Sequence, residues 1–247
     1  MNGDSFAKKF ITSLVAALLI NVFLLLLGNS GTISWFPPPV VFSLVGICLL
    51  LGLIFPFIWQ YRQARNKIDS QKIYGVLHTA IRYCIAFNLA SFGWKKLFGL
   101  QFVVPPVIAE KPMNQQSGEW LTWFYFGYSP AFALIVAFLQ IIGSYFLLFR
   151  KTMLLAAIVL FAFMINLTLI NICYHMNAGA LTQSVLITIG LAYIILNDYR
   201  QLRDFFFNSI TNIKSMTVSN GFAKNMFRLS AIVLSLLFTI YLKSLAK

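Results

Sequence analysis

Charge is what this sequence has least of. Only 10% of its 247 residues are Asp, Glu, Lys or Arg, against roughly a quarter in an ordinary soluble domain, and no polar stretch is long enough to enclose a core of its own. Among the charged residues the acids are the scarcer, six against nineteen Lys and Arg. Asp4, Asp69, Glu110, Glu119, Asp198 and Asp204 are the complete set, all in loops or at the ends of apolar runs, which excludes a chain of intramembrane carboxylates relaying protons. Cysteine is nearly absent too: Cys48, Cys84 and Cys173 lie far apart inside apolar runs, with no CxxC and no His at ligand spacing. No metal centre is expected from them. A Gly-rich phosphate loop and a Ser/His/Asp set are also missing.

Hydrophobic residues make up 60% of the chain. They gather into seven segments: Phe10 to Leu27, Val40 to Trp59, Ile73 to Trp94, Pro130 to Phe149, Thr152 to Tyr174, Leu181 to Asn197 and Met226 to Leu242. Each approaches the roughly 20 residues that cross a bilayer as helix, and helix is required because unpaired backbone groups are too costly in hydrocarbon. The expected fold is an all-α integral membrane protein of about seven spans. Lys8 and Lys9 precede the first segment as in a signal peptide, but the run is too long and no small-x-small site follows, so it reads as an uncleaved helix.

A net charge of +13 would suggest nucleic acid for a soluble chain, but here the cations cluster at the ends of apolar runs, so the expected partner is the lipid bilayer and not nucleic acid. Lys8, Lys9, Arg62, Arg65, Lys67, Lys72, Arg150, Lys151, Arg200, Arg203, Lys214, Lys224 and Arg228 fall on one side of the seven spans; Lys95, Lys96, Lys111, Lys243 and Lys247 fall on the other. Basic residues accumulate on the cytoplasmic side. This predicts a membrane protein with its amino terminus cytoplasmic and its carboxyl terminus outside.

The short turns at Arg150-Lys151 and around Asn177-Gly179 imply antiparallel neighbours, so spans three to six form a four-helix bundle. The chain divides into residues 1–72 (two helices and a basic loop), 73–204 (the four-helix core, with an outer loop at 99–129) and 205–247 (an interfacial segment and a last helix). Helices one, two and seven are expected to flank the core. The outer loop ends in a run with Trp120, Trp123, Phe124, Tyr125, Phe126 and Tyr128, which reads as an interfacial aromatic belt, or else as a lid over an outward-facing site. Phe205, Phe206, Phe207, Ile210 and Ile213 suggest a helix lying on the inner surface.

Polar side chains inside the membrane are the natural candidates for function. Arg82, in the middle of the third segment with His78 one turn before it, costs about 2.5–3.5 kcal/mol on insertion scales and has no acid within the spans to pair with. It must bind carbonyls, Asp198, a lipid phosphate or a ligand. Lys96, Gln140, Asn166 and Asn171 are the other ligand-binding candidates, although amides also serve as interhelical glue. Gly93, Gly143 and Ser144 permit close helix approach. A haem shared by His78 and His175 is excluded, since the spans would place them roughly 20 Å or more apart.

The stretch around Arg82 and the element Gly93-Trp94-Lys95-Lys96-Leu97-Phe98 resemble the DoxX family of small bacterial membrane proteins, whose first core helix carries an Arg followed by G-x-x-K-l-f. The run LQIIGSYFLLFRKTMLLAA is similar to the family's small-residue helix, basic turn and return helix. The resemblance covers Ile73 to Leu202, apart from the loop Gln101 to Trp120. Many members have Glu where this chain has Gln140, which bears against a proton-linked role. The resemblance implies the bacterial inner membrane as location, a DoxX-like four-helix core and an accessory place in a quinone-linked or thiol-redox membrane system, with a quinone as candidate cofactor and other membrane proteins as partners. An assembly factor for membrane proteins is the alternative, and a small-anion transporter the third.

Overall fold

The computed structural model describes residues 5–28 and 33–208, together with Met226, Ser230, residues 233–238 and Ile240. The principal helices are α1 (Phe6–Gly28), α2 (Pro38–Ala64), α3 (Ser70–Leu97), α4 (Pro106–Ala109), α5 (Gly118–Tyr128), α6 (Pro130–Leu148), α7 (Met153–Cys173), α8 (Ala178–Asn197) and α9 (Tyr199–Arg203). No strand occurs among the described residues. The fold is therefore all-α, as the composition requires.

Among the described residues five helices, α1, α2, α6, α7 and α8, are long and apolar enough to cross a membrane. The expectation was seven. The third segment is present as α3, 28 residues long, but its polar side chains keep it outside that set, and the seventh falls on a stretch described only at scattered positions. The interfacial segment is described as far as its phenylalanines, Phe205 to Phe207, all exposed beside an Arg203–Asp204 ion pair of 3.2 Å. Ile210 and Ile213 lie outside the described residues.

Local sequence explains where the helices begin. Asp69 caps α3 by accepting from the amides of Gln71 (3.0 Å) and Lys72 (3.4 Å), Ser129 caps α6 ahead of Pro130, and Asn177 caps α8 through the Ala180 amide at 2.9 Å. Each side chain supplies an acceptor to an otherwise orphaned first-turn amide. Pro56 lies inside α2 and leaves the Gly52 carbonyl without its helical donor. The Ser13 hydroxyl of α1 donates to that carbonyl at 2.8 Å. A potential kink is thereby converted into an interhelical bond.

Helices α3, α6, α7 and α8 pack in a closed ring, each against the next, with α3 and α6 sharing the most extensive interface. The first helix corrects the expected layout. Val15, Ala16, Leu19 and Val22 of α1 join Ile81, Ile85, Leu160, Ile187 and Leu191 in one buried cluster, so α1 belongs to the core rather than flanking it. One compact unit runs through Leu202, and a second covers Arg203–Lys247. In lipid, apolar contact alone gives little drive for association, so close backbone approach matters. A Cβ on Gly93 would stand 2.6 Å from Ile141 Cγ1 and 2.9 Å from the Ala137 carbonyl, and one on Gly143 would stand 2.7 Å from Leu160 Cδ2. Both glycines set the helix spacing read for them.

Candidate functional site

The end of the bundle where α3 and α7 finish is covered by α5. Gly118, at the first turn of α5, sits directly on the Tyr174 carbonyl, and Asn177 Nδ2 donates to Glu119 Oε1 at 3.0 Å. At the other end of the helix, Phe126 stacks on Phe102 (5.1 Å between centroids, 12° between planes) and on Phe132 (5.8 Å, 21°). Phe102 holds a left-handed backbone, φ 65°, a conformation that costs a non-glycine residue about 1–3 kcal/mol. Gly127 accepts its approach, because a Cβ there would meet the Phe102 carbonyl at 3.0 Å. The aromatic run thus forms a cover clamped at both ends.

Beneath the cover lies a cavity of about 280 Å³, lined mainly by apolar side chains of α1, α3, α7 and α8, with Thr122, Trp123 and Phe126 from α5. Its size falls near the lower edge of the roughly 300–1,000 Å³ usual for small-molecule sites. Lys96, Gln140 and Asn171, three of the expected ligand-binding residues, all line it. Lys96 Nζ donates to Gln140 Oε1 at 2.9 Å and to the Phe92 carbonyl at 3.3 Å, and it lies 5.5 Å from the Phe102 ring centre, within cation–π range. Asn171 Nδ2 bridges to Ser184 Oγ (2.9 Å) and the Ala180 carbonyl (3.2 Å) of α8. No Asp or Glu lines the cavity.

The other two candidates lie elsewhere. Arg82 is 5% exposed, and its Nε donates to the Leu147 carbonyl at 3.2 Å while an Nη donates to the Leu148 carbonyl. It satisfies the open carbonyls at the end of α6, and fourteen residues along α3 put it about 21 Å from Lys96. Asn166 is exposed on the outside of α7 and does not line the cavity. Ser144 is buried with its hydroxyl unpartnered, and it too lies outside the lining.

The structure adds groups that sequence reading passed over. Lys95, Gln101, Asn177, Gln183 and Ser184 join the cavity lining. At the opposite end of the bundle, Thr12 Oγ1 and the Tyr193 hydroxyl share a hydrogen bond of 2.7 Å, Tyr193 donates to the Tyr74 hydroxyl at 3.4 Å, and Tyr74 donates to Asn197 Oδ1 at 2.6 Å. Lys9, only 2% exposed, donates to Gln60 Oε1, and His78 stacks on Tyr74. These bonds tie α1, α2, α3 and α8 together. Only an interfacial bias of Tyr and Lys could have signalled them. Among the described residues no group of three or more His, Cys, Asp or Glu could hold a metal ion.

The chain is similar to YwoB, an uncharacterized protein of Bacillus subtilis, with 28% identity over 127 residues that make up 51% of this chain and 79% of that protein. No family model matches the chain. No solved structure matches it either.

Proposed function

We propose that this chain is a noncatalytic accessory protein of the bacterial inner membrane, oriented with its amino terminus in the cytoplasm, that holds a lipid-soluble small molecule in the cavity beneath α5. The observation carrying this reading is the convergence of Lys96, Gln140 and Asn171 on one covered, mostly apolar space. A few fixed polar groups in an apolar cleft are the usual make-up of a small-molecule site. In the quinone-linked or thiol-redox setting suggested by the resemblance to DoxX proteins, a quinone is the first candidate, its carbonyl accepting from Lys96. With α3 counted as a sixth span and the last segment as a seventh, the cavity faces outward.

A role in assembling other membrane proteins is the second reading. It is favoured by the apolar surface of the covering segment, where Val107, Met113 and Tyr128 are exposed at 72%, 68% and 91%. Mass spectrometry of protein gently purified from its native membrane separates the two. A stoichiometric small molecule, absent from a variant with the cavity filled by Leu167→Trp, is the expected result. Stoichiometric protein partners with an empty cavity would replace the binding reading by the assembly one.

A further inference from the structure

The charge of the cavity carries an inference about its occupant. Lys96 is surrounded by neutral groups: the Gln140 amide oxygen, the Phe92 carbonyl and the ring of Phe102. An ammonium has three donors, and two of these are used. Enclosing such a cation without a carboxylate is unfavourable unless something anionic joins it or the ammonium gives up its proton. The one acid in the first turn of α5, Glu119, accepts from Asn177 and does not line the cavity.

Building on the binding reading above, we propose that the occupant is an amphiphile with a single anionic head, a carboxylate or phosphate ester, seated on Lys96, and an apolar chain lying along Phe163 and Leu167. A small hydrophilic anion would find donors in the lining but would leave the apolar stretch along α7, Phe163, Met164 and Leu167, unfilled. A zwitterion would bring a cation to a place with no acid to receive it. A neutral ligand, the quinone of the preceding reading included, would fit only if the lysine gave up its proton. Volume sets the remaining limit: about 280 Å³ is room for roughly nine waters at ~30 Å³ each, enough for the head and the first carbons of a chain, whose remainder must leave the cavity. The strained backbone of Phe102 is explained on the same terms, since it turns an aromatic ring toward Lys96 and under α5.

The test uses the full chain in nanodiscs of neutral phosphatidylcholine, with a diazirine-bearing fatty acid as probe and its methyl ester as the uncharged control. The acid is expected to label the α7 wall of the cavity at least tenfold more than the ester. Lys96→Gln should remove that preference and Lys96→Arg retain it; if Lys96→Gln does not fold, the acid–ester comparison on the unaltered chain decides. Equal labelling by acid and ester, or competition by decylubiquinone as effective as that by unlabelled fatty acid, would overturn the anionic head while leaving a ligand site in place. No labelling of the cavity by either probe would overturn both this inference and the binding reading on which it rests.

Discussion

Arg82 and Lys96 are two cations on one helix with different work. Arg82 ends on the two last carbonyls of α6, where a positive charge also meets the negative end of the helix dipole. Arg82→Gln removes charge-assisted bonds worth about 1.5–3 kcal/mol in water and less between membrane helices. Thermal unfolding in detergent should show a loss of about 1–3 kcal/mol, with cavity labelling unchanged; a variant of normal stability that loses the ligand would return Arg82 to the binding site. Gly93 offers a second check. With Ile141 and the Ala137 carbonyl already within 3 Å of where a Cβ would stand, Gly93→Ala overpacks the α3–α6 seam by about 1–3 kcal/mol. A melting temperature unaltered by that substitution would show that the seam is looser than described.

The element on which access depends is α5. Its fixed end rests on Asn177, which serves twice: Oδ1 caps α8 and Nδ2 holds Glu119. Glu119→Ala should release α5 while sparing the cap. Asn177→Ala should release it and also cost about 1 kcal/mol of helix capping. A cysteine introduced by Thr122→Cys, on the cavity side of α5, is predicted to react with a water-soluble maleimide several-fold faster when combined with Glu119→Ala; unchanged reactivity would mean that the aromatic stack on Phe102 and Phe132 alone holds the cover. The same helix shows how far a sequence pattern reaches. Trp120 to Tyr128 announced aromatic rings near an interface, yet what they pack on, Phe102 and the Tyr174 carbonyl, lies in other segments.

For the whole molecule, the number of helices that cross the membrane turns on α3. Five qualify on length and apolarity, whereas the distribution of Lys and Arg is consistent only if α3 crosses too. Burial of Arg82 and Asn88 inside the bundle makes that feasible, because the polar face of α3 is hidden from lipid by α6 and α1. Alkaline phosphatase fused after Gly99 should therefore be active outside the cell, and a green fluorescent protein fused after Arg65 should fluoresce inside. Phosphatase inactive after Gly99 would remove α3 from the spans and place the cavity on the cytoplasmic side.

The sequence by itself determined that the chain is helical and apolar, roughly where the long helices run, and that Gly93 and Gly143 allow close contacts, because those properties follow from run length, from residue size and from the cost of bare backbone in lipid; the first residues, such as Phe6 and Ser70 in place of Phe10 and Ile73, were set by flanking and capping residues. It also brought Lys96, Gln140 and Asn171 to notice as polar groups in apolar runs. Only the tertiary structure decided that these three share a space while Arg82 and Asn166 do not, and that α1 belongs in the core. The reason is that neighbouring helices lie far apart in sequence, and α1, α2, α6, α7 and α8 are apolar nearly all round. With lipid and protein interior equally apolar, the pattern along one helix does not reveal which face meets which partner; the close approach of glycine to its neighbour, and the bonds that buried polar groups find, fix that choice.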